Sequence, residues 1–289
     1  MGLAQGALSD STQRAYTAAL NKFKLFCQSC NLCHLPANVN SLCAYISFLN
    51  SKGISPGSIL SSISAISYWH KLNSLKDPSK EFVVQQILVS IRKCGGEGDK
   101  RQPITKEILI QLISVLKVLG LSGYEISMFK AIFIIAFQFA LRLSEFTSSP
   151  HTLMFKNIVI SDVTMIITFS SFKHSSDNDL LSHEFKADFS NTCPVNALND
   201  YIAWRGLSDG PLFRLKGKAV SKTYFSKVLR QAVSYIGLPP SAFTSHSFRI
   251  GASTRWADEG LAVDVIRRRG RWKNEATVSK YIRGCILHN

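Results

Sequence analysis

The sequence is short of negative charge. Nineteen Asp and Glu stand against 34 Lys and Arg, a formal net charge of +15 with a pI near 9.6. An imbalance of that size on a folded chain argues for a polyanionic partner. Long apolar runs are missing as well. The best, Ala131 to Phe137, is bounded by Lys130 and Gln138 and is too short to cross a bilayer, so no membrane partner is expected. A myristoylation signal is absent, because Gly6 stands where that motif needs Ser or Thr. The seven cysteines, at 27, 30, 33, 43, 94, 193 and 285, are odd in number and no secretion signal is recognisable, which argues for reduced thiols rather than a disulfide framework. Cys27, Cys30, Cys33 and His34 form C-x2-C-x2-C-H. Zinc wants separated ligand pairs and covalent haem an export route, so this cluster reads as a helix end with thiols, and neither metal nor cofactor is expected. Internal repeats and low-complexity segments are lacking too.

What the chain does have is apolar matter for two cores: 289 residues, 46% hydrophobic and 10% aromatic. Ser11 to Ser29 reads as a first helix capped by Ser11 or Asp10, with Tyr16, Leu20, Phe23, Phe26 and Cys27 at helical spacing. Asn38 or Asn40 opens a second, with Leu42, Tyr45, Ile46 and Leu49 inward, ending near Gly53. Ser55-Pro56 opens a third through Ile59, Ile63, Ile66 and Trp69, and Pro78 or Ser79 a fourth carrying Phe82, Val83, Ile87 and Ile91. Residues 1–93 are thus expected to be a helical bundle. The Gly-rich run Cys94 to Asp99 marks a flexible linker over 94–104.

The second domain, 105–289, opens with helices from Thr105 to Leu119 and from Tyr124 to about Ser144. Strands are expected over Asn157–Ile160 and Val163–Phe169, then a polar turn from Lys173 to Asp179 and a return strand near His183–Asp188. Helices over Pro194–Ile202, Ser221–Ile236 and three closing segments complete a chain that is mainly α with a small antiparallel sheet. Basic residues number 9 against 3 acidic in 1–93, two against two in 94–104, and 23 against 14 in 105–289. Both domains should therefore touch the polyanion.

The most specific stretch runs from Thr244 to Tyr281. His246 and Arg249 are three apart and share one helix face, Thr244 or Ser245 can cap that helix, and Gly260 can stop it. A helix start carrying His and Arg suits a phosphate. Val263 to Arg269 reads as a short basic helix ended by Gly270, and Asn274 caps another running through Tyr281. His-x-x-Arg, then Gly270-Arg271-Trp272, then a Tyr nine residues on, resembles the C-terminal motif of the tyrosine recombinases, the phage integrase family. Most members have a second His where this chain has Trp272; some have Trp. The family also has an Arg in a Leu-Arg-x-x-Glu/Asp helix and a Lys after a β-strand, matched by Leu141-Arg142-Leu143-Ser144-Glu145 and by Lys173. Taken singly, each residue has a plainer reading: Arg142 and Glu145 as an i,i+3 ion pair, Trp272 and Tyr281 as core aromatics, Lys173 as an exposed turn residue with Lys156 and Lys186 as substitutes.

The resemblance implies a helical, SAM-like core-binding domain ahead of an α+β catalytic domain. Tyr281 would attack a DNA phosphate to give a 3′-phosphotyrosyl link. Arg142 and Arg249 would clamp the non-bridging oxygens, Lys173 would be the general acid, His246 would assist proton transfer, and the Trp272 indole would donate to the phosphate. Glu145 would orient these groups. Arg14, Lys22, Lys24, Lys52, Lys71 and Arg271 are candidate DNA contacts, though ordinary solvated charge accounts for such residues equally. The partner would be double-stranded DNA, bound by a homotetramer on two sites, with no small-molecule substrate. The absence of a further N-terminal DNA-binding domain and the Gln102-Pro103-Ile104 joint look most like recombinases of eukaryotic Crypton or DIRS/Ngaro-type mobile elements. A nuclear location would follow, or a cytoplasmic one in a bacterium. Members commonly extend past the Tyr into a segment that packs on a neighbouring subunit; eight residues follow Tyr281, so subunit contact is expected to be made otherwise or by residues beyond this sequence. Two other readings use the same fold or similar chemistry: a catalytically silent DNA-binding descendant, and a type IB topoisomerase.

Overall fold

Polar caps and apolar stripes become helices in two units, Met1–Asp99 and Lys100–Asn289, of a computed structural model that describes residues 8–94, 99–169 and 181–284. In the first unit, α1 (Asp10–Ser29) is capped by Ser9, whose side chain accepts from the Thr12 amide, slightly earlier than the expected cap. Asn38 caps α2 (Val39–Ser51), and Ser55 caps α3 (Pro56–Leu72), with Pro56 in its first turn. A 3-10 turn over Pro78–Lys80 then leads into α4 (Phe82–Cys94). Phe23 and Cys27 of α1 pack with Leu42, Tyr45, Ile46, Ile59, Ile63 and Ile66 to form one core.

Helix α4 divides its apolar residues between the core and the surface. Phe82 is 77% exposed and Val83 is also exposed, while Val84, Leu88 and Ile91 are buried. With the helix starting at Phe82, the i, i+4, i+7 stripe that meets the core is the one set by Val84; Phe82 and Val83 fall outside it. Arg14, Lys22, Lys24, Lys52 and Lys71 are all exposed, spread over α1, the end of α2 and α3. Cys27 is buried and Cys30 and Cys33 are exposed. Among the described residues no group of His, Cys, Asp and Glu could hold a metal ion, and no helix is long and apolar enough to cross a membrane.

The joint is shorter than 94–104. Cys94 still belongs to α4, and the Gln102 and Ile104 amides already donate to the Ala242 and Ser247 carbonyls of the second unit, at 2.8 and 3.0 Å. After α5 (Lys106–Val115) comes α6 (Gly123–Gln138), opened by a Ser122/Glu125 capping box and buried from Met128 to Gln138 except at Lys130. Such an all-round apolar helix belongs in the middle of a core. Here it lies among α5, α8 (Pro194–Arg205), α9 (Lys222–Tyr235) and α10 (Ser245–Asp258).

The expected continuation of α6 to Ser144 is wrong. The helix ends at Gln138, Ala140 takes φ +47°, and Arg142 is extended at the start of a one-turn helix α7 (Leu143–Phe146). The carbonyls of Phe139 and Ala140 leave the helical path because buried arginines bind them. The antiparallel sheet has the order β1 (Ile158–Ile160), β2 (Thr164–Phe169), β3 (Leu181–Lys186), with Ile158 opposite Ile167 and Ile167 opposite His183. Met165, Ile167 and Phe169 alternate inward. A small hairpin, β4 (Arg214–Leu215) with β5 (Lys218–Ala219), was not foreseen.

Gly251 fixes how α10 sits. A Cβ there would lie 1.9 Å from the Ile104 carbonyl oxygen, a backbone atom that cannot swing aside. Gly251→Ala is therefore expected to lower the unfolding free energy of the chain by about 2 kcal/mol or more in urea titrations. Gly57→Ala, at a helix position with nothing within 4 Å, is the control and should leave stability within about 0.5 kcal/mol.

Candidate active site

Three helix ends and one broken helix meet around a buried carboxylate. At the first end, Thr244 Oγ1 accepts from the His246 amide at 3.2 Å, setting His246 in the opening turn of α10 with Arg249 one turn on. Glu259 caps the far end of α10, where Gly260 reverses the chain at φ +79°. Next comes α11 (Val263–Gly270), closed by Arg271 in the left-handed conformation, φ +57° and ψ +44°. The Trp272 amide donates to the Arg267 carbonyl and the Arg271 amide to that of Arg268, a Schellman pattern with Arg at the position usually taken by Gly. Gly270 is needed just before it, since a Cβ would fall 1.5 Å from the Trp272 ring. Asn274 caps α12 (Glu275–Val278), which is shorter than expected and leaves Tyr281 in the turn that follows.

Glu145, 1% exposed, sits at the centre. Its Oε2 accepts from the Arg142 amide and from Arg271 Nη2, both at 2.8 Å; Oε1 accepts from Arg142 Nη1 at 3.0 Å and Arg271 Nε at 3.4 Å. Burial alone would raise this carboxyl, but Arg271, Arg142 and Arg249 outweigh it and hold it below the usual carboxylate range. Arg249, also 1% exposed, donates Nη1 to the Ala140 carbonyl and Nη2 to the Gly270 carbonyl, the latter at 2.9 Å. Burial, then the charges of Arg142 and Arg271, pull its guanidinium down to about 9, so it keeps its proton at neutral pH. Three guanidinium charges against one carboxylate leave this cluster with two unneutralised positive charges.

Over that charge lies the aromatic pair. The Arg249 guanidinium is 4.5 Å from the Trp272 ring centre and 5.6 Å from that of Tyr281. The Tyr281 hydroxyl and His246 Nε2 are 2.5 Å apart. Ser253 and Thr254 hydroxyls donate to the Tyr281 carbonyl, at 3.3 and 3.4 Å, and Thr254 also accepts from the Arg283 amide, so α10 holds the chain at the tyrosine and just after it. Arg249 Nε and Trp272 Nε1 are buried N–H groups with no partner among the described residues.

The structure thus brings together Arg142, Glu145, His246, Arg249, Trp272 and Tyr281. Lys173 and the whole of its polar turn lie outside the described residues; Lys156 and Lys186 are exposed. Arg271 is a correction. Expected to face DNA, it is 4% exposed and spends all five of its N–H donors inside the fold: on both Glu145 oxygens and on the carbonyls of Phe139, Ala140 and Arg269, the last three at 3.2 Å. Sequence reasoning placed it in a basic run and missed its role. The available signal was a non-Gly residue in the turn that ends a helix.

An arginine cluster under a His-bound tyrosine, carried on this helical scaffold, defines the tyrosine recombinase class. The protein belongs to the phage integrase family, which matches residues 104–284. An integrase/recombinase xerD homolog from Selenomonas ruminantium is 26% identical over 290 residues, covering 95% of this chain and 82% of that protein. Solved structures with the same fold include the XerH site-specific recombinase bound to palindromic difH substrate, at TM-score 0.68 and 15% identity over 93% of this chain and 75% of that one. A lambda integrase dimer bound to a COC′ core site gives 0.67 and 12% over 99% and 76%, and the Tn1549 transposon integrase in complex with circular intermediate DNA gives 0.60 and 15% over 87% and 82%.

The buried carboxylate sets an acid limit on stability. Because the folded state holds Glu145 below its unfolded value of about 4.3, its contribution is complete above that value and is lost as pH falls through the lower folded one. Urea titrations should show the wild type losing stability below about pH 4, with that segment of the pH curve flattened in Glu145→Gln. At pH 7 the variant should be less stable by about 3–5 kcal/mol, the cost of stranding a buried partner.

Proposed function

We propose that this chain is a site-specific DNA recombinase that cleaves and rejoins duplex DNA through a 3′-phosphotyrosyl intermediate. The observation that carries the reading is the Tyr281 hydroxyl held against His246 Nε2 at 2.5 Å, directly above the arginine cluster. The Tyr281 oxygen attacks the scissile phosphorus and gives up its proton, with His246 Nε2 in place to accept it. The P–O5′ bond breaks, and Lys173 protonates the departing O5′. Arg142 and Arg249 stabilise the non-bridging oxygens, and the two buried unpartnered donors, Arg249 Nε and Trp272 Nε1, are groups a phosphate oxygen would satisfy. Glu145 orients the arginines. Because the phosphotyrosyl bond retains the energy of the broken one, rejoining needs no further energy source.

The partner in this reading is double-stranded DNA, with two sites brought together by a homotetramer. Exposed Arg14, Lys22, Lys24, Lys52 and Lys71 provide phosphate contacts from the first unit. The Gln102-Pro103-Ile104 joint supports a role in integrating or excising a mobile element, of the Crypton or DIRS/Ngaro type. In a eukaryotic host the protein would act in the nucleus, in a bacterium in the cytoplasm.

Nicked duplexes carrying the element's ends, incubated with protein and resolved on a denaturing gel, test the reading. Wild type should yield a slow-migrating covalent band and Tyr281→Phe none, with both binding DNA. Trp272→Phe, which removes one phosphate donor, should lower the rate by about 10²–10³. Tight binding by the wild type with no covalent band on any end would instead mark a silent DNA-binding descendant.

A further inference from the structure

We propose that Arg271 is a positioning residue of the cleavage site: it neutralises Glu145 from inside the fold and leaves the charges of Arg142 and Arg249 available to the phosphate. This deepens the recombinase reading and rests on it.

Backbone geometry points first to a purpose. Arg271 sits in the left-handed region, at φ +57°, where a side chain with a Cβ is disfavoured by about 1–2 kcal/mol. Glycine would close α11 without that strain, so the guanidinium has to be worth more than the conformation costs. What it does is visible in its contacts. It grips both oxygens of Glu145 and packs 4.0 Å from the Phe169 ring centre, and none of its donors is left for an outside ligand.

Charge arithmetic supplies the reason. A carboxylate as buried as Glu145 needs a counter-charge. With Arg271 assigned to that task, the two positive charges that remain are those of Arg142 and Arg249. Remove Arg271 and the nearest cation is Arg142, already 3.0 Å from Glu145 Oε1 and with 17% of its side chain exposed. Glu145 would then draw Arg142 inward, and the net charge would fall from two to one.

The backbone around Arg271 reinforces this. The consecutive carbonyls of Gly270 and Arg271 accept from Arg249 Nη2 and Arg142 Nη2 respectively. The Arg271 side chain in turn holds the Phe139 and Ala140 carbonyls, and Ala140 also receives Arg249 Nη1. One residue therefore ties together the main-chain acceptors of both phosphate-facing arginines.

A purely structural ion pair would share many of these contacts, so the test uses charge balance. Single-turnover formation of the covalent band and DNA affinity are measured for wild type, Arg271→Gln and the double variant Arg271→Gln/Glu145→Gln. The single variant should cleave about 10–100-fold more slowly, the range for groups that orient a charged ligand from behind, with DNA affinity within about threefold. The double variant again has two unneutralised arginines, and the amide oxygen that replaces the carboxylate can still accept from the Arg142 main chain and orient it, so it should recover at least tenfold of that loss. A wild-type rate in Arg271→Gln, or a folded double variant no faster than the single, would overturn the proposal while leaving the recombinase reading intact. Should Arg271→Gln fail to melt cooperatively, the double variant alone decides: cleavage within about tenfold of wild type supports the proposal, and a folded but inert double variant rejects it. Absence of a covalent band with wild type removes the recombinase reading and this proposal together.

Discussion

Uncompensated positive charge buried beside a single carboxylate is the constraint around which the second unit is built. Arg249 and Arg271 are nearly without solvent, and Glu145 neutralises only one charge of the three around it. Such a cluster persists only if most of its N–H groups are met by fixed acceptors, and the main chain supplies many of them, Arg249 Nε being left over. Helix α6 stops at Gln138 so that the Phe139 and Ala140 carbonyls can turn inward, and α11 stops at Gly270 so that two further carbonyls face the same arginines. Two helix ends that look like ordinary terminations are acceptor shells for a cation site.

How much of this the sequence disclosed depends on the range of the interaction. Caps and periodicity are local, which is why Asn38, Ser55, Thr105, Ser221 and Thr244 mark the helix starts they were expected to mark, and why β2 alternates as its pattern demands. The residues His246, Arg249, Trp272 and Tyr281 were legible because their spacing within one short stretch is itself distinctive. Arg142 and Glu145 were legible as a motif, but their setting was not: past Gln138 the sequence resumes as Phe139-Ala140-Leu141, and nothing in it shows that carbonyls there will be claimed by arginines more than a hundred residues later. Arg271 misled for the same reason. In a run of four arginines it looks like one more solvent-facing charge, and only the folded proximity of Glu145 distinguishes it from Arg267 and Arg268. On α4, by contrast, more apolar residues recur than one face can hold, and periodicity alone does not say that the stripe of Val84, Leu88 and Ile91 is the one that meets the core.

Position along the chain also separates Tyr281 from its supports. His246 and Arg249 rise from the start of α10, while Ser253 and Thr254 from the next turns of the same helix hold the main chain at Tyr281. Tyr281, its hydrogen-bond partner His246 and the buried Arg249 are therefore referenced to a single rigid element. That element is itself fixed by the close approach of Gly251 to the Ile104 carbonyl, so a residue without a side chain sets the height of the whole group.

The contact between Gly270 and the Trp272 ring couples two positions in a way that bears on descent. A methyl group at 270 would overlap the six-membered ring of the indole, whereas a smaller ring at 272 would leave that space open. Glycine at 270 is therefore a precondition for tryptophan at 272. In any lineage that exchanged a smaller residue for this tryptophan, the glycine had to be present first, and once the tryptophan was in place the way back to alanine was closed.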